Sequence, residues 1–143
     1  MAEPQSAVEV ALRALRARDR SSAELAARLT ARGAGPEERR DALELLERVG
    51  YVDDERFAHG RAATLAARGS GDALIRHDLE QRGVASETIE AALAGLEPER
   101  VRAERIVAKR GPGAKTARHL AARGFEEDAV ASVVARDGAG EVE

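Results

Sequence analysis

The chain has 143 residues, 43% hydrophobic but only 2% aromatic, so any core must be built from Leu, Val, Ile and Ala. It has no cysteine, which excludes disulfides and thiolate metal sites. Its net charge of -3 excludes a chain-wide polycation. Abundant Ala and Leu with few β-branched residues favour helices over strands, and the 34% charged residues suit exposed helix faces.

The opening MAEPQSAVEV lacks a basic segment followed by an apolar run, so no secretory signal is expected. No apolar stretch is long enough to cross a bilayer, so no membrane association is expected and the expected location is the cytoplasm. Residues 1–6 read as a flexible N-terminus. A first helix over 7–18 places Val8, Leu12 and Leu15 on one face, at helical spacing. Ser21 with Glu24 forms a capping box for a second helix, which ends at Gly33. Pro36 opens a third, with Ala42, Leu43, Leu46 and Val49 inward.

The same design then recurs. Asp53 caps a helix over 54–68, with Val52 and Phe57 placed as a hydrophobic staple. Asp54 and Glu55 lie in its first turn, where the helix dipole favours acids. The stretch Gly71 to Gly83 repeats Ser21 to Gly33, and Pro112 to Gly124 repeats it again. Each ends in Arg-Gly, with Leu29, Leu79 or Leu120 four residues before the Gly and Leu25, Ile75 or Thr116 eight before. The Gly sits where a helix closes in a left-handed residue. Ser86 is expected to cap a following helix with Ile89, Leu93 and Leu96 inward. The last part supplies a helix over 98–110 and another from about Glu126 to Ala135 with Val130, Val133 and Val134 inward. Thr116 and Ala117 weaken the apolar pattern between them.

The expected fold is therefore all-α: three tandem three-helix repeats in an elongated, curved array. The boundaries are 7–50, 51–96 and 97–136, with a flexible acidic tail over 137–143.

Catalytic motifs are missing. His59, His77 and His119 fall in different repeats without an i, i+4 partner, which disfavours a zinc site. No phosphate loop or nucleophile elbow occurs, so a binding protein without cofactor is expected rather than an enzyme. The basic residues form stripes at the two ends. Arg13, Arg16, Arg20, Arg28 and Arg32 lie in the first repeat, and Arg102, Arg105, Lys109, Lys115 and Arg118 in the last. Residues 51–96 carry 5 basic and 8 acidic groups. Such stripes suit acidic or phosphate partners; ordinary solvated helix faces, with pairs such as Glu24 to Arg28, are the competing reading. The aromatics Tyr51, Phe57 and Phe125 read as packing residues, too few for a base-stacking platform.

The stretch Gly50-Tyr51-Val52-Asp53-Asp54-Glu55-Arg56-Phe57-Ala58 resembles the central motif of the RecX family, regulators of the RecA recombinase. Arg18 to Leu29 is similar to the family's first repeat, and Ile75 to Leu93 to its second. The resemblance implies tandem three-helix repeats, binding to the RecA–DNA filament, and restraint of its ATP hydrolysis and strand exchange. It places the chain in DNA repair, recombination and the SOS response. It implies no cofactor, and single- or double-stranded DNA as a weaker partner. A monomer is expected. The alternative is a helical-repeat protein acting directly on DNA. On the filament reading the basic stripes make contact, while Gly50, Tyr51, Asp53, Asp54, Arg56 and Phe57 mainly set the angle between repeats one and two.

Overall fold

A computed structural model describes residues 5–140, with side chains to Val133. Nine helices and no strand occur among the described residues: α1 (Ala7–Ala17), α2 (Ser22–Ala31), α3 (Pro36–Arg48), α4 (Asp54–Ala67), α5 (Asp72–Gln81), α6 (Ser86–Ala94), α7 (Glu99–Arg110), α8 (Ala114–Ala122) and α9 (Glu127–Gly140). They group into three units of three, each with its own buried cluster. Within each unit the first helix packs on the third and both pack on the second. The inward role expected of Val134 lies outside the described side chains, as do residues 1–4 and 141–143 of the expected flexible ends.

Local chemistry sets the helix ends. Ser6 with Glu9 and Ser21 with Glu24 form capping boxes, each satisfying two amides that would otherwise lack partners. The first of these was not anticipated from sequence. Asp53 caps α4 by accepting from the Arg56 amide. Ala85, not Ser86, is the N-cap of α6, and Ser86 is already helical. Gly33, Gly83 and Gly124 have φ of 89°, 77° and 86°. After each, the next amide bonds back to the carbonyl of Leu29, Leu79 or Leu120. This left-handed closure folds the following residue onto the last turn.

The repeated apolar positions are the centres of the clusters. Leu25, Leu29, Ile75, Leu79 and Leu120 are each 1% exposed or less, worth about 2 kcal/mol apiece in burial. Thr116 is also buried, donating its hydroxyl to the Gly111 carbonyl at 2.6 Å, so the third unit is not loosened there. Around these centres the chain departs from the expected faces. The buried face of α1 is Ala7, Val10, Ala11 and Ala14, while Val8, Leu12 and Leu15 are only half-buried at its edge. The alanines permit close helix approach, which leaves the larger side chains at the margin. Val49 is 53% exposed because it follows the last turn of α3 instead of facing inward.

Val52 and Phe57 belong to different clusters, the first and the second, instead of stapling one helix start. Phe57 is 5% exposed. Phe57→Ala is expected to destabilise the protein by about 3 kcal/mol through the cavity it leaves, read by denaturant unfolding. An equally stable variant would remove Phe57 from the packing.

The two seams between units follow one plan. At the first, the Ser22 amide and hydroxyl donate to Asp54 at 2.8 Å each, and the Ser21 hydroxyl donates to the Arg82 carbonyl at 2.6 Å. At the second, the Asp72 amide donates to Glu99 at 2.6 Å, and the Gly71 amide donates to the Arg123 carbonyl at 2.8 Å. Asp54 and Glu99 are each the first residue of their helix. In both seams the start of one unit's middle helix is thus capped by the next unit. A carboxylate takes its amide, and an Arg-Gly turn closes over it.

Candidate partner-binding surfaces

The segment Gly50 to Phe57 crosses the first seam. The Arg56 guanidinium donates to the Gly50 carbonyl at 3.0 Å and the Tyr51 carbonyl at 3.3 Å, and it lies 3.9 Å from Asp19 of the first unit. These bonds fix the turn after α3. Gly50, at φ 83°, permits the reversal. Both the Tyr51 and Val52 amides then bond to the Leu46 carbonyl. Val52 takes the interior place, so Tyr51 is turned outward and is 58% exposed. The expectation that Tyr51 is a packing residue is therefore corrected. Its ring borders a groove with Leu12, Leu15, Arg16, Asp19 and Arg56. Leu45, Val49 and Tyr51 are the large hydrophobic residues left exposed among the described residues, and all three lie in one short stretch.

The basic stripes separate once their partners are seen. Arg13, Arg16 and Arg32 are exposed on the first unit, and Arg28 is half-buried beside them. Arg20 is tied down, donating Nε to the Ala14 carbonyl at 3.1 Å. Burial, then the charges of Arg18 and Arg28, lower its pKa. Glu24 does not pair with Arg28; it reaches Arg82 at 3.0 Å and Arg18 at 3.4 Å. Arg82 continues to Asp78, whose carboxyl the Arg61 fork holds below its ordinary range, outweighing burial. This chain of charges runs along the first seam.

In the third unit Lys109, Lys115 and Arg118 are exposed, and Arg105 is exposed but paired with Glu97 at 2.8 Å. Arg102 is the clear correction: it is 7% exposed and cannot meet a partner. Its guanidinium donates to the Glu97 carbonyl at 3.0 Å, the Ser70 carbonyl at 2.9 Å and the Asp72 carboxylate. It also lies 5.9 Å from the centre of the Phe125 ring, a favourable place for a cation. Arg102 holds the second and third units together.

Among the described residues, no group of His, Cys, Asp and Glu could hold a metal ion, and no helix is long and apolar enough to cross a membrane. Among the described residues, the features that stand out are an exposed aromatic groove at the first seam and, at both ends, cations without a carboxylate partner.

Comparison with known proteins accounts for the tandem units. Residues 53–93 match the family model described as RecX, second three-helix domain. The regulatory protein RecX of Chromohalobacter salexigens is 39% identical over 134 residues, covering 87% of this chain and 88% of that protein. The one of Mycolicibacterium vanbaalenii is 41% identical over 107 residues, covering 72% of this chain and 58% of that protein. The crystal structure of RecX from Lactobacillus salivarius superposes with a TM-score of 0.80 at 16% identity, over 93% of this chain and 95% of that one. At that identity the likeness is one of fold, and it is the fold built above from Arg-Gly turns and capped seams. Sequence and fold agree along nearly the whole chain, which belongs to the RecX family of regulatory proteins.

Proposed function

We propose that this protein binds the RecA–DNA filament and modulates it, mostly by restraining recombinase ATP hydrolysis and strand exchange. It acts in the cytoplasm, in control of DNA repair and recombination, as a monomer without catalysis or cofactor of its own. Family membership supports the partner. The observation that supports the mode of action is the surface at the first seam, where the exposed Tyr51 lines one groove with Leu12, Leu15 and Arg16. A large aromatic held outward by a fixed turn, beside an arginine, is the composition of an energetic interface centre. Arg13 extends the cationic rim toward carboxylates or phosphates. The seam chemistry keeps this surface rigid, so little ordering entropy opposes binding.

The test is DNA-dependent ATP hydrolysis by the cognate recombinase as the protein is added. The expected result is a concentration-dependent fall. The Arg13→Ala, Arg16→Ala, Tyr51→Ala variant should need at least tenfold more protein for the same effect, with its thermal unfolding unchanged. No change in hydrolysis at saturating wild-type protein would sink the reading. An unimpaired triple variant would move the contact to another face.

A further inference from the structure

We infer that the outer end of the first unit is a docking site for the first turn of an α-helix carried by a protein partner. On the function proposed above, which supplies the partner, that helix belongs to the recombinase filament. The two seams show what such a face holds. Each is made from the start of a unit's first helix and the Arg-Gly turn that closes its second, and together they cap the start of a helix in the neighbouring unit. The first unit presents the same face. Ser6 and Ala7 at the start of α1, Arg32, Gly33 and Ala34 of the turn after α2, and Glu38 line one depression of about 320 Å³. Among the described residues nothing fills it. A Cβ on Gly83 would collide with Ala23, and one on Gly124 would stand 2.6 Å from the Leu74 amide nitrogen, but nothing lies within 4 Å of a Cβ on Gly33.

The filled and open faces match group by group. The Arg82 carbonyl accepts from the Ser21 hydroxyl at 2.6 Å. The Arg123 and Gly124 carbonyls accept from the amides of Gly71 and Ala73 at 2.8 and 3.0 Å. Among the described residues, no hydrogen bond reaches the carbonyl of Arg32 or Gly33. Each filled face also has a carboxylate for the first amide of the entering helix, Asp54 for Ser22 and Glu99 for Asp72. Glu99 divides its oxygens, giving the other to the Glu126 amide of its own unit. The first unit carries Ala7 at that place, and Glu38 supplies the acid from α3 instead. One Glu38 oxygen accepts from the Ala7 amide at 3.2 Å, which leaves the other for a second amide, as in Glu99.

What enters must therefore be rich in donors. The first turn of a helix has amides without intrahelical partners and the positive end of the helix dipole, which Glu38 complements. Arg32 sets the third helical position. Arg82, at the same place in the second unit, pairs with Glu24 at 3.0 Å, so Arg32 selects an acid there. The docked segment is thus a helix start with Ser or Gly at the N-cap and Glu or Asp at the third position. A nucleic acid is disfavoured, because its phosphates would meet carbonyls and a carboxylate. A second copy of this chain is disfavoured as well. The start of α8 has Lys115 nine residues before Gly124, where Glu24 stands nine before Gly33, and it carries no acid in its first turn. Lys115 would face Arg32.

The experiment measures co-sedimentation of the full chain with cognate recombinase filaments on single-stranded DNA. Gly33→Asn places a side chain where the helix start would enter. Asparagine tolerates a left-handed backbone, and Gly69→Asn is the control, at another left-handed glycine with open space around a Cβ. Glu38→Gln keeps an acceptor for the Ala7 amide and removes the charge. Thermal unfolding by circular dichroism verifies that the variants fold. Gly33→Asn should bind about tenfold more weakly through the clash, and Glu38→Gln about fivefold through the lost dipole contact. Gly69→Asn should stay within about twofold of wild type. If Gly33→Asn binds no more weakly than Gly69→Asn, the docking site is overturned while the filament reading stands. Should Gly33→Asn not fold, an unimpaired Glu38→Gln overturns the site in its place. No filament binding by the wild type removes that reading and the occupant with it. A concentration-dependent dimer in sedimentation, lost in Gly33→Asn, would give the face to a second copy and overturn the partner helix.

Discussion

Arg102→Met will destabilise the protein by about 4 kcal/mol, more than most surface changes could, because it strands partners that only a guanidinium can serve together. Arg102 donates to two backbone carbonyls, of Glu97 and Ser70, and to the Asp72 carboxylate. Methionine restores the volume of the side chain but none of the bonds. Removing one partner of a buried ion pair typically costs about 3 to 5 kcal/mol, and each abandoned buried carbonyl adds to it. The loss should be local as well as large. Amide exchange in α7 to α9 is expected to accelerate more than in α1 to α3, since the bonds lost are those that hold the third unit to the second. A double-mutant cycle with Asp72→Ala should return a coupling of about 2 kcal/mol. Stability within about 1 kcal/mol of wild type, by urea unfolding, would mean that the seam does not depend on this arginine.

Arg102 also marks the boundary of what the sequence discloses. Phe57 and Arg102 stand at the same place, three residues into α4 and α7 from Asp54 and Glu99. Phe57 fills the core of its unit. Arg102 instead reaches back across the seam, and Phe125 contributes the aromatic ring to the third cluster. Read as a stripe with Arg105 and Lys109, Arg102 passes for surface; read against Phe57, an arginine at a core position signals a buried pair. The same comparison picks out Asp54 and Glu99 as paired acceptors.

What was legible was local. An Arg-Gly closure preceded by apolar residues at four and eight positions needs only neighbouring residues to take shape, and all three such helices are present with their buried Leu or Ile. The seams join residues 27 to 61 positions apart, and no periodicity reports that. Tyr51 shows the same limit. It follows a left-handed Gly, as the buried Val84 and Phe125 do, yet Val52 takes the inward place and turns Tyr51 to the surface. Alanine faces were missed for another reason: weighting by size favours Leu12 and Leu15 over Ala11 and Ala14, although close helix packing selects the small residues.

Gly71→Ala tests the second seam from the side of shape instead of charge, and a loss of about 4 kcal/mol is expected. The backbone of Gly71, with φ -84° and ψ 173°, is open to any L-residue, so conformational strain is not the obstacle. Space is. A Cβ at Gly71 would stand 2.5 Å from the carbonyl carbon and oxygen of Gly124, and these are backbone atoms that cannot rotate away. The turn of the third unit must retreat. In retreating it gives up the bonds from the Gly71 amide to Arg123 and from the Ala73 amide to Gly124, now 2.8 and 3.0 Å. Overpacking costs about 1 to 3 kcal/mol, and two inter-unit hydrogen bonds contribute about 1 kcal/mol each. Gly35 supplies the control. It too is a helix N-cap in extended conformation, but nothing lies within 4 Å of a Cβ placed on it. Gly35→Ala should therefore cost only the N-cap preference for Gly over Ala, about 0.5 to 1 kcal/mol. If the two substitutions prove equally mild by urea unfolding, the close approach of the Arg-Gly turn is not what locks the units together. If Gly71→Ala alone is severe, the small residue at that position is required by the neighbouring unit's backbone and not by its own helix.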